Sequence, residues 1–288
     1  MKIIDILNTN KTTISFELFP PKPNEPLDDA KTIVRDVSAL NPSFISVTYG
    51  AGGSTSKTTV EIANEVQKAN LPALAHLTCV GADKQTISAT LDELKSHNIN
   101  NILALRGDLP PGGNITTAYQ NFKYASELTE FIHSQGSFCV GGACYIEGHP
   151  ESPTLQADIE NLKIKVNSGC QFLTSQMFFE NERFYNFMFR LLKNGVDVPV
   201  IAGVMPITNA AQIKRIFALS GTALPPRFKA MTDRFIHNPA ALRQAGLAYA
   251  TEQIIDLISN GVNHIHIYTM NKPGNARTIM RGIDKIFP

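Results

Sequence analysis

The sequence predicts an α/β protein, a single domain over residues 1–288 folded as a (β/α)8 TIM barrel, on three observations. Short β-branched or apolar runs alternate with stretches of helical period along the whole chain. Eight such pairs fit into 288 residues, close to the ~250 usual for a barrel of this kind. No low-complexity linker divides the chain, and the switch point and nucleotide fingerprint that an open doubly wound sheet would want are missing. The runs fall at 12–17 (TTISFE), 44–49 (FISVTY), 72–79 (PALAHLTC), 99–106 (INNILALR), 137–143 (SFCVGGA), 170–175 (CQFLTS), 198–204 (VPVIAGV) and 262–268 (VNHIHIY). The helical stretches lie at about 27–40, 57–69, 84–97, 119–134, 155–168, 180–194, 208–219 and 239–260, with a short one after the last strand. Asn209 before AAQIKRIF and Pro239 opening AALRQAG are helix starts. Gly136, Gly169, Gly195 and Gly261 stand where helices should stop. Repeated βα units imply a parallel sheet with right-handed crossovers. The one irregular region, 220–238, reads as an inserted short helix opened by Pro225-Pro226.

Composition narrows the function classes. Hydrophobic residues are 43% and charged residues 18%, below the charged fraction of ~25% found on average, which excludes a disordered chain, a coiled coil or a charged tail protein. Lys plus Arg number 26 against 25 Asp plus Glu, a formal +1; nucleic-acid binding, which wants a basic excess or stripe, is set aside. No apolar stretch approaches the ~18 residues of a membrane span. The N-terminus, MKIIDILNTNKTTISFELFPP, has one early Lys, then Asp5, and lacks the apolar core of a secretion signal. A cytoplasmic protein is expected. Cys79, Cys139, Cys144 and Cys170 form no C-x-x-C pair and no metal-like spacing with His; they read as buried free thiols.

In an eight-stranded α/β barrel, chemistry collects at the C-terminal ends of the strands. That filter selects Glu17 on strand one, Thr48 and Tyr49 on strand two, His76 and Thr78 on strand three, Arg106 and Asp108 after strand four, Tyr145 after strand five and Gln176 after strand six. Glu17 sits between Phe16, Leu18 and Phe19. Apolar surroundings raise a carboxyl's pKa, as a general acid requires; a Glu paired with Lys or Arg on the rim is the alternative. YGAGGSTSKTT (49–59) looks like a phosphate loop but has Thr55 and Ser56 where the two standard spacings need Gly, and it reads as a glycine turn with a helix cap. LALRGDLPPGG (103–113) is the densest segment: Arg106 can grip phosphate or carboxylate with both arms, and Asp108 can accept from a heterocycle or face a developing cation. An Arg106–Asp108 pair tying down a turn is the other reading. His264 and His266, two apart on strand eight, share a face but lack matching carboxylates for a metal. FFENERFYNFMF (178–189) has the spacing of a core face. Lys163 and Lys165 near a helix C-terminus suit the dipole without any ligand.

FELFPPKP, SVTYGAGGST, HLTCVGAD, LALRGDLPPG, YIEGHPES, QADIENLKIKVNSG, LTSQMFF and HIYTMN occur in that order between residues 15 and 275. In this combination the chain resembles the methylenetetrahydrofolate reductase family, in its short, barrel-only bacterial form. The resemblance implies bound FAD, held by Thr48, His76, Leu105, Arg106, Gly107, Asp108, Tyr119, Ala143, Tyr145, His149, Asp158, Asn161 and Lys165. It implies reduction of 5,10-methylenetetrahydrofolate to 5-methyltetrahydrofolate, with NADH or NADPH, or another electron donor, reducing the flavin in a ping-pong route. It makes Glu17 the general acid, Asp108 and Gln176 the pterin contacts, and Thr48, Met270 and Lys272 further substrate contacts, with no metal. Opening the folate's five-membered ring needs a proton on N10, which Glu17 can supply; the resulting iminium is cationic, and Asp108 would stabilise it.

Three positions depart from the family's pattern. Ile164 stands where a second basic residue is usual, Thr232 where an aromatic is common on the short helix after strand seven, with Phe228 and Phe235 nearby, and Lys272 where Arg is common. The chain ends with the barrel, so inhibition by S-adenosylmethionine through a regulatory domain is not expected. A homo-oligomer or a redox partner protein stays open. Two rival readings are a non-catalytic flavin-binding subunit of a redox or methyl-transfer complex and a flavin-free pterin-dependent methyltransferase barrel.

Overall fold

The computed structural model describes residues 1–21, 25–49, 56–108, 119, 121–213, 216 and 224–287. Eight parallel strands close in sequence order: β1 (Thr13–Leu18), β2 (Phe44–Val47), β3 (Ala73–Thr78), β4 (Asn101–Leu105), β5 (Cys139–Cys144), β6 (Phe172–Ser175), β7 (Val200–Val204) and β8 (His264–Tyr268), with β8 pairing back onto β1. The predicted barrel is thus present, with strands one or two residues shorter at some ends than their apolar runs. Closure removes every sheet edge.

Around it lie α2 (Leu27–Ser38), α3 (Ser56–Lys68), α4 (Lys84–Ser96), α5 (Ala125–Gln135), α6 (Leu155–Asn167), α7 (Asn181–Lys193), α8 (Pro226–Phe235), α9 (Pro239–Ser259) and α10 (Pro273–Gly282), numbered after an N-terminal α1 (Ile3–Leu7). Side chains start several of them: Asp83 accepts from the Thr86 amide, Thr154 from Ala157, and Asn238 from Ala241 with Pro239 next in line. Gly169 and Gly261 follow α6 and α9 with φ of 105° and 83°, values that favour glycine at a helix stop. The inserted helix opened by Pro225-Pro226 is α8. Of the stretch read as a helix over 208–219, residues 210–213 are helical, and 214, 215 and 217–219 lie outside the described residues. No described helix is long and apolar enough to cross a membrane. All four cysteines are buried and unpaired.

The strands' outward side chains, such as Ile14, Phe16, Leu18, Ala75, Leu77, Ile265 and Ile267, pack with the helices in one continuous core. The inward side chains divide by height. At the N-terminal mouth Phe44, Leu74, Leu103, Cys139, Phe172 and Ile201 form an apolar floor, into which α1 inserts Ile3 and Leu7. Higher up, Ser15, Glu17, Ser46, His76, Thr174 and His266 are buried polar groups. The helix α1 is the element that periodicity did not reveal, since five residues are too few to establish a period. It is held by Asn101 of β4, which accepts from the Ile3 amide at 2.8 Å and donates to the Met1 and Ala73 carbonyls at 3.2 and 3.3 Å. Replacing Asn101 with Ala leaves those buried groups unpaired, and urea unfolding should show a loss of about 2 kcal/mol; an unchanged midpoint would mean that the plug is held by apolar contact alone.

Candidate functional site

Period-two alternation turns Glu17 of β1 into the barrel, and it turns the neighbours that the sequence reading relied on, Phe16 and Leu18, outward into the helix layer. The dry setting of Glu17 therefore comes from other strands. His76 on β3 places Nε2 3.8 Å from Glu17 Oε2, and His266 on β8 places Nε2 4.0 Å away. Glu17 is 8% exposed, and burial pushes its carboxyl up to about 8, while burial pushes both imidazoles down to about 3. At neutral pH this is a protonated acid between two neutral histidines. Among the described residues no Lys or Arg pairs with Glu17, so the rim ion pair that the sequence left open is not found there. His76 Nε2 is buried with no hydrogen-bond partner among the described residues. His264 and His266 are taken up by hydroxyls: Thr13 for the first, Ser15 and Ser46 for the second.

Tyr268, two residues beyond His266, continues the inward face and crosses the barrel to donate to the Ser175 carbonyl at 2.6 Å. Gly203 makes room, since a Cβ there would collide with the Ser175 carbonyl and come 2.7 Å from the Tyr268 ring. Sequence reading missed this pair; the strand period from His266 was the available signal. The turn after β8 is fastened to β1. Thr269 donates to the Glu17 carbonyl at 2.7 Å, and Asn271 exchanges two 2.9 Å hydrogen bonds with the Phe19 backbone. This holds Met270 and Asn271 at φ of 54° each and fixes Met270 and the exposed Lys272 near the Glu17 end of β1.

A cavity of about 1290 Å³ opens beside the barrel axis, over the C-terminal ends of β3, β4 and β5 and against α6. Leu105, Arg106, Gly107, Asp108, Ala143, Tyr145, His149, Asp158, Asn161 and Lys165 all line it. The 158/161/165 spacing places the last three on one helix face. Lys165 donates to the Ala143 carbonyl at 2.6 Å, and Asp158 accepts from Ser152 at 2.8 Å. Tyr145 and His149 meet edge to face at 4.8 Å. Burial and then the Arg106 charge push His149 down, so it is neutral. Arg106 differs from the turn-tying reading: its fork grips Glu151 through two hydrogen bonds of 2.6 and 2.7 Å, not Asp108. Glu151 was legible only as part of YIEGHPES. Asp108 is exposed at the cavity mouth, leaving its carboxylate open to a ligand.

Thr48, His76, Tyr119 and Gln176 are not among the residues that line this cavity. Tyr119 lies in the neighbourhood of Arg106. Thr48 follows β2 beside Tyr49, which lines the cavity. His76 belongs to the barrel interior, facing Glu17. Gln176 accepts from the Met177 amide at 3.0 Å and hydrogen-bonds Tyr145, bridging axis and cavity. Ile164 is an exposed apolar residue on the cavity wall. Phe228 is fully buried against Phe179 and Tyr249, and the Thr232 hydroxyl turns to its own helix's Lys229 carbonyl, so neither presents an aromatic face to the site. The glycine turn at 50–55 and the 109–113 end of the LALRGDLPPGG segment lie outside the described residues.

A family model described as methylenetetrahydrofolate reductase matches residues 2–284. The 5,10-methylenetetrahydrofolate reductase of Escherichia coli is 32% identical over 260 residues, covering 90% of this chain and 86% of that protein. The enzyme of the same name from Pectobacterium carotovorum is 30% identical over 263 residues, 91% of this chain and 87% of its own. Methylenetetrahydrofolate reductase (NADH) 1 of Zea mays is 32% identical over 298 residues, 99% of this chain, but the chain spans only 50% of the plant protein's length. Among solved structures, an uncharacterised Clostridium thermocellum protein described as binding two copies of 5-methyl-5,6,7,8-tetrahydrofolic acid superposes with a TM-score of 0.66 over 99% of both chains, at 14% identity, a likeness of fold.

The raised carboxyl has a consequence for stability. Folding makes Glu17 bind a proton between its ordinary 4.5 and about 8, so its contribution is complete below 4.5 and is lost as pH rises through 8. Glu17→Gln should match the wild type in stability near pH 5 and exceed it by about 2–4 kcal/mol near pH 9, read by urea unfolding across pH. A difference that does not change with pH would mean that Glu17 is ionised in the native state.

Proposed function

The chain belongs to the methylenetetrahydrofolate reductase family, and from that premise we propose that it reduces 5,10-methylenetetrahydrofolate to 5-methyltetrahydrofolate with FAD as cofactor and a reduced nicotinamide as donor, in two half-reactions at one pocket. The observation that supports this most directly is the neutral carboxyl of Glu17 at the barrel axis, beside a cavity of dinucleotide size.

The cavity residues suit FAD. Gly107, with φ of 86° and only 3.0 Å between a would-be Cβ and the Thr78 side chain, lets the chain pass close to a flat ring. Leu105 and Ala143 offer apolar walls, and Tyr145 and His149 aromatic and polar contacts; Thr48, Tyr119 and His76, outside that lining, are the further contacts this reading assigns. Arg106 and Lys165 supply positive charge for a diphosphate, and Asp158 and Asn161 supply acceptors and donors for hydroxyls. Bound there, FAD supplies the hydride that the side chains cannot.

The chain's own residues then handle the proton and the charge. The C–N10 bond of the folate breaks with its electron pair staying on N10, and Glu17 delivers the proton that N10 takes up. Glu17 is left as a carboxylate where its surroundings disfavour charge, so it takes a proton back readily. The positive charge left on the N5 iminium faces Asp108. Gln176, with one acceptor and two donors, matches a pterin amide edge. Met270 packs on the substrate and Lys272 meets the anionic folate tail, a point charge in place of a fork. The protein is expected to work in the cytoplasm.

Anaerobic stopped-flow separates the two halves. Glu17→Gln should keep nicotinamide-driven flavin reduction within about threefold and lower the folate half-reaction by at least ~100-fold. Survival of both halves would remove Glu17 as the acid, and a purified protein without releasable FAD would favour the flavin-free methyltransferase reading.

A further inference from the structure

The hydrogen bonds around His266 determine where its proton sits. The ring is 2% exposed, its Nδ1 lies 2.7 Å from Ser15 Oγ, and its Nε2 lies 3.2 Å from Ser46 Oγ. Ser15 Oγ is also 3.1 Å from the Ile265 carbonyl, which can only accept. One chain gives every proton an acceptor: Ser46 donates to Nε2, Nδ1–H donates to Ser15, and Ser15 donates to Ile265. The reverse chain leaves the Ser46 proton without an acceptor among the described residues.

We infer that Ser15 is a positioning residue for the acid: by accepting from Nδ1 of His266 it sets the tautomer in which Nε2, 4.0 Å from Glu17 Oε2, carries no N–H and so offers the carboxyl no donor. This rests on the reading of Glu17 as the proton donor. An N–H dipole at that point would stabilise a carboxylate, whereas an unprotonated nitrogen, with its partial negative charge, disfavours it and favours the protonated acid. The groups facing Glu17 add no countervailing charge. They are His76 from β3, Ser46 from β2, and His266 and Tyr268 from β8, and its charge partners within 4.0 Å among the described residues are the two neutral imidazoles. Tyr268 packs edge-on to the His266 ring at 5.3 Å, and Phe44 stacks on it at 6.2 Å, so the imidazole cannot swing away. Thr13 and His264 repeat the same hydroxyl–imidazole contact at 3.0 Å, one strand period lower and away from the carboxyl, and serve as an internal control.

The test has a spectroscopic and a kinetic arm. In 15N-histidine-labelled holoenzyme at neutral pH, long-range proton–nitrogen spectra should show His266 with a protonated Nδ1 and an unprotonated Nε2. Free imidazole side chains favour the opposite form. In the folate half-reaction, Ser15→Ala should move the pH midpoint down by about one unit. Ser46→Ala, which leaves the lone pair in place, should keep the midpoint or raise it, and Thr13→Val should not move it. A His266 that is Nε2-protonated or cationic at neutral pH overturns the inference, as do Ser15→Ala and Ser46→Ala moving the midpoint alike. The spectrum of the wild type decides even if the variants do not fold. It is read without turnover, so it stands apart from any failure of folate reduction.

Discussion

The organising constraint of this molecule is a carboxyl group enclosed in a parallel barrel with no cation among the described residues to pair with it. Ionised, Glu17 would sit in a dry interior against two neutral rings, a state too costly to persist. It holds its proton instead. The polar residues around it are arranged so that none disturbs this: His266 is neutral and saturated by Ser15 and Ser46, Tyr268 spends its hydroxyl on the Ser175 carbonyl, and His76 presents a nitrogen with no other partner. The apolar floor and the α1 plug close the N-terminal end of the barrel beneath this layer.

A formal charge of +1 gives the protein no general attraction for anionic ligands. The positive charge is local. Arg106 and Lys165 stand at the cavity, the first already gripping Glu151 and the second a carbonyl, and Lys272 stands at the β8 turn. A diphosphate entering the cavity would compete with Glu151 for the Arg106 fork. In the proposed function the labour divides by place: the wall between β3 and α6 takes the cofactor, and the axis between β1 and β8 handles the proton. Gln176 joins the two through Tyr145.

Much of this was legible in the sequence because barrels repeat. Each βα unit declares itself by a change of period, and the rule that chemistry gathers at strand C-termini selected Glu17, Arg106, Asp108, Tyr145 and Gln176 before any coordinates. What was illegible depended on pairing across the barrel. Of the two readings of Glu17 that the sequence left open, its burial favours the raised acid, but Phe16 and Leu18, taken as its surroundings, face the helices; its neighbours, His76 and His266, are distant in sequence. Glu151 as the partner of Arg106, and Tyr268 reaching Ser175 over Gly203, are likewise contacts between residues that no local pattern links. His266 itself was noticed, as half of a metal-like pair, yet its meaning lay in two serines on other strands. The short α1 escaped because it has a floor to fill and no period to display.

At neutral pH the Glu17 carboxyl at the axis of this barrel is protonated and lies between two neutral imidazoles. Neutron diffraction from deuterated crystals near pH 7 reads this directly. The account predicts deuterium on the Glu17 carboxyl, with His76 and His266 each bearing a single ring deuteron. A bare Glu17 carboxylate beside a doubly deuterated His76 or His266 would contradict it.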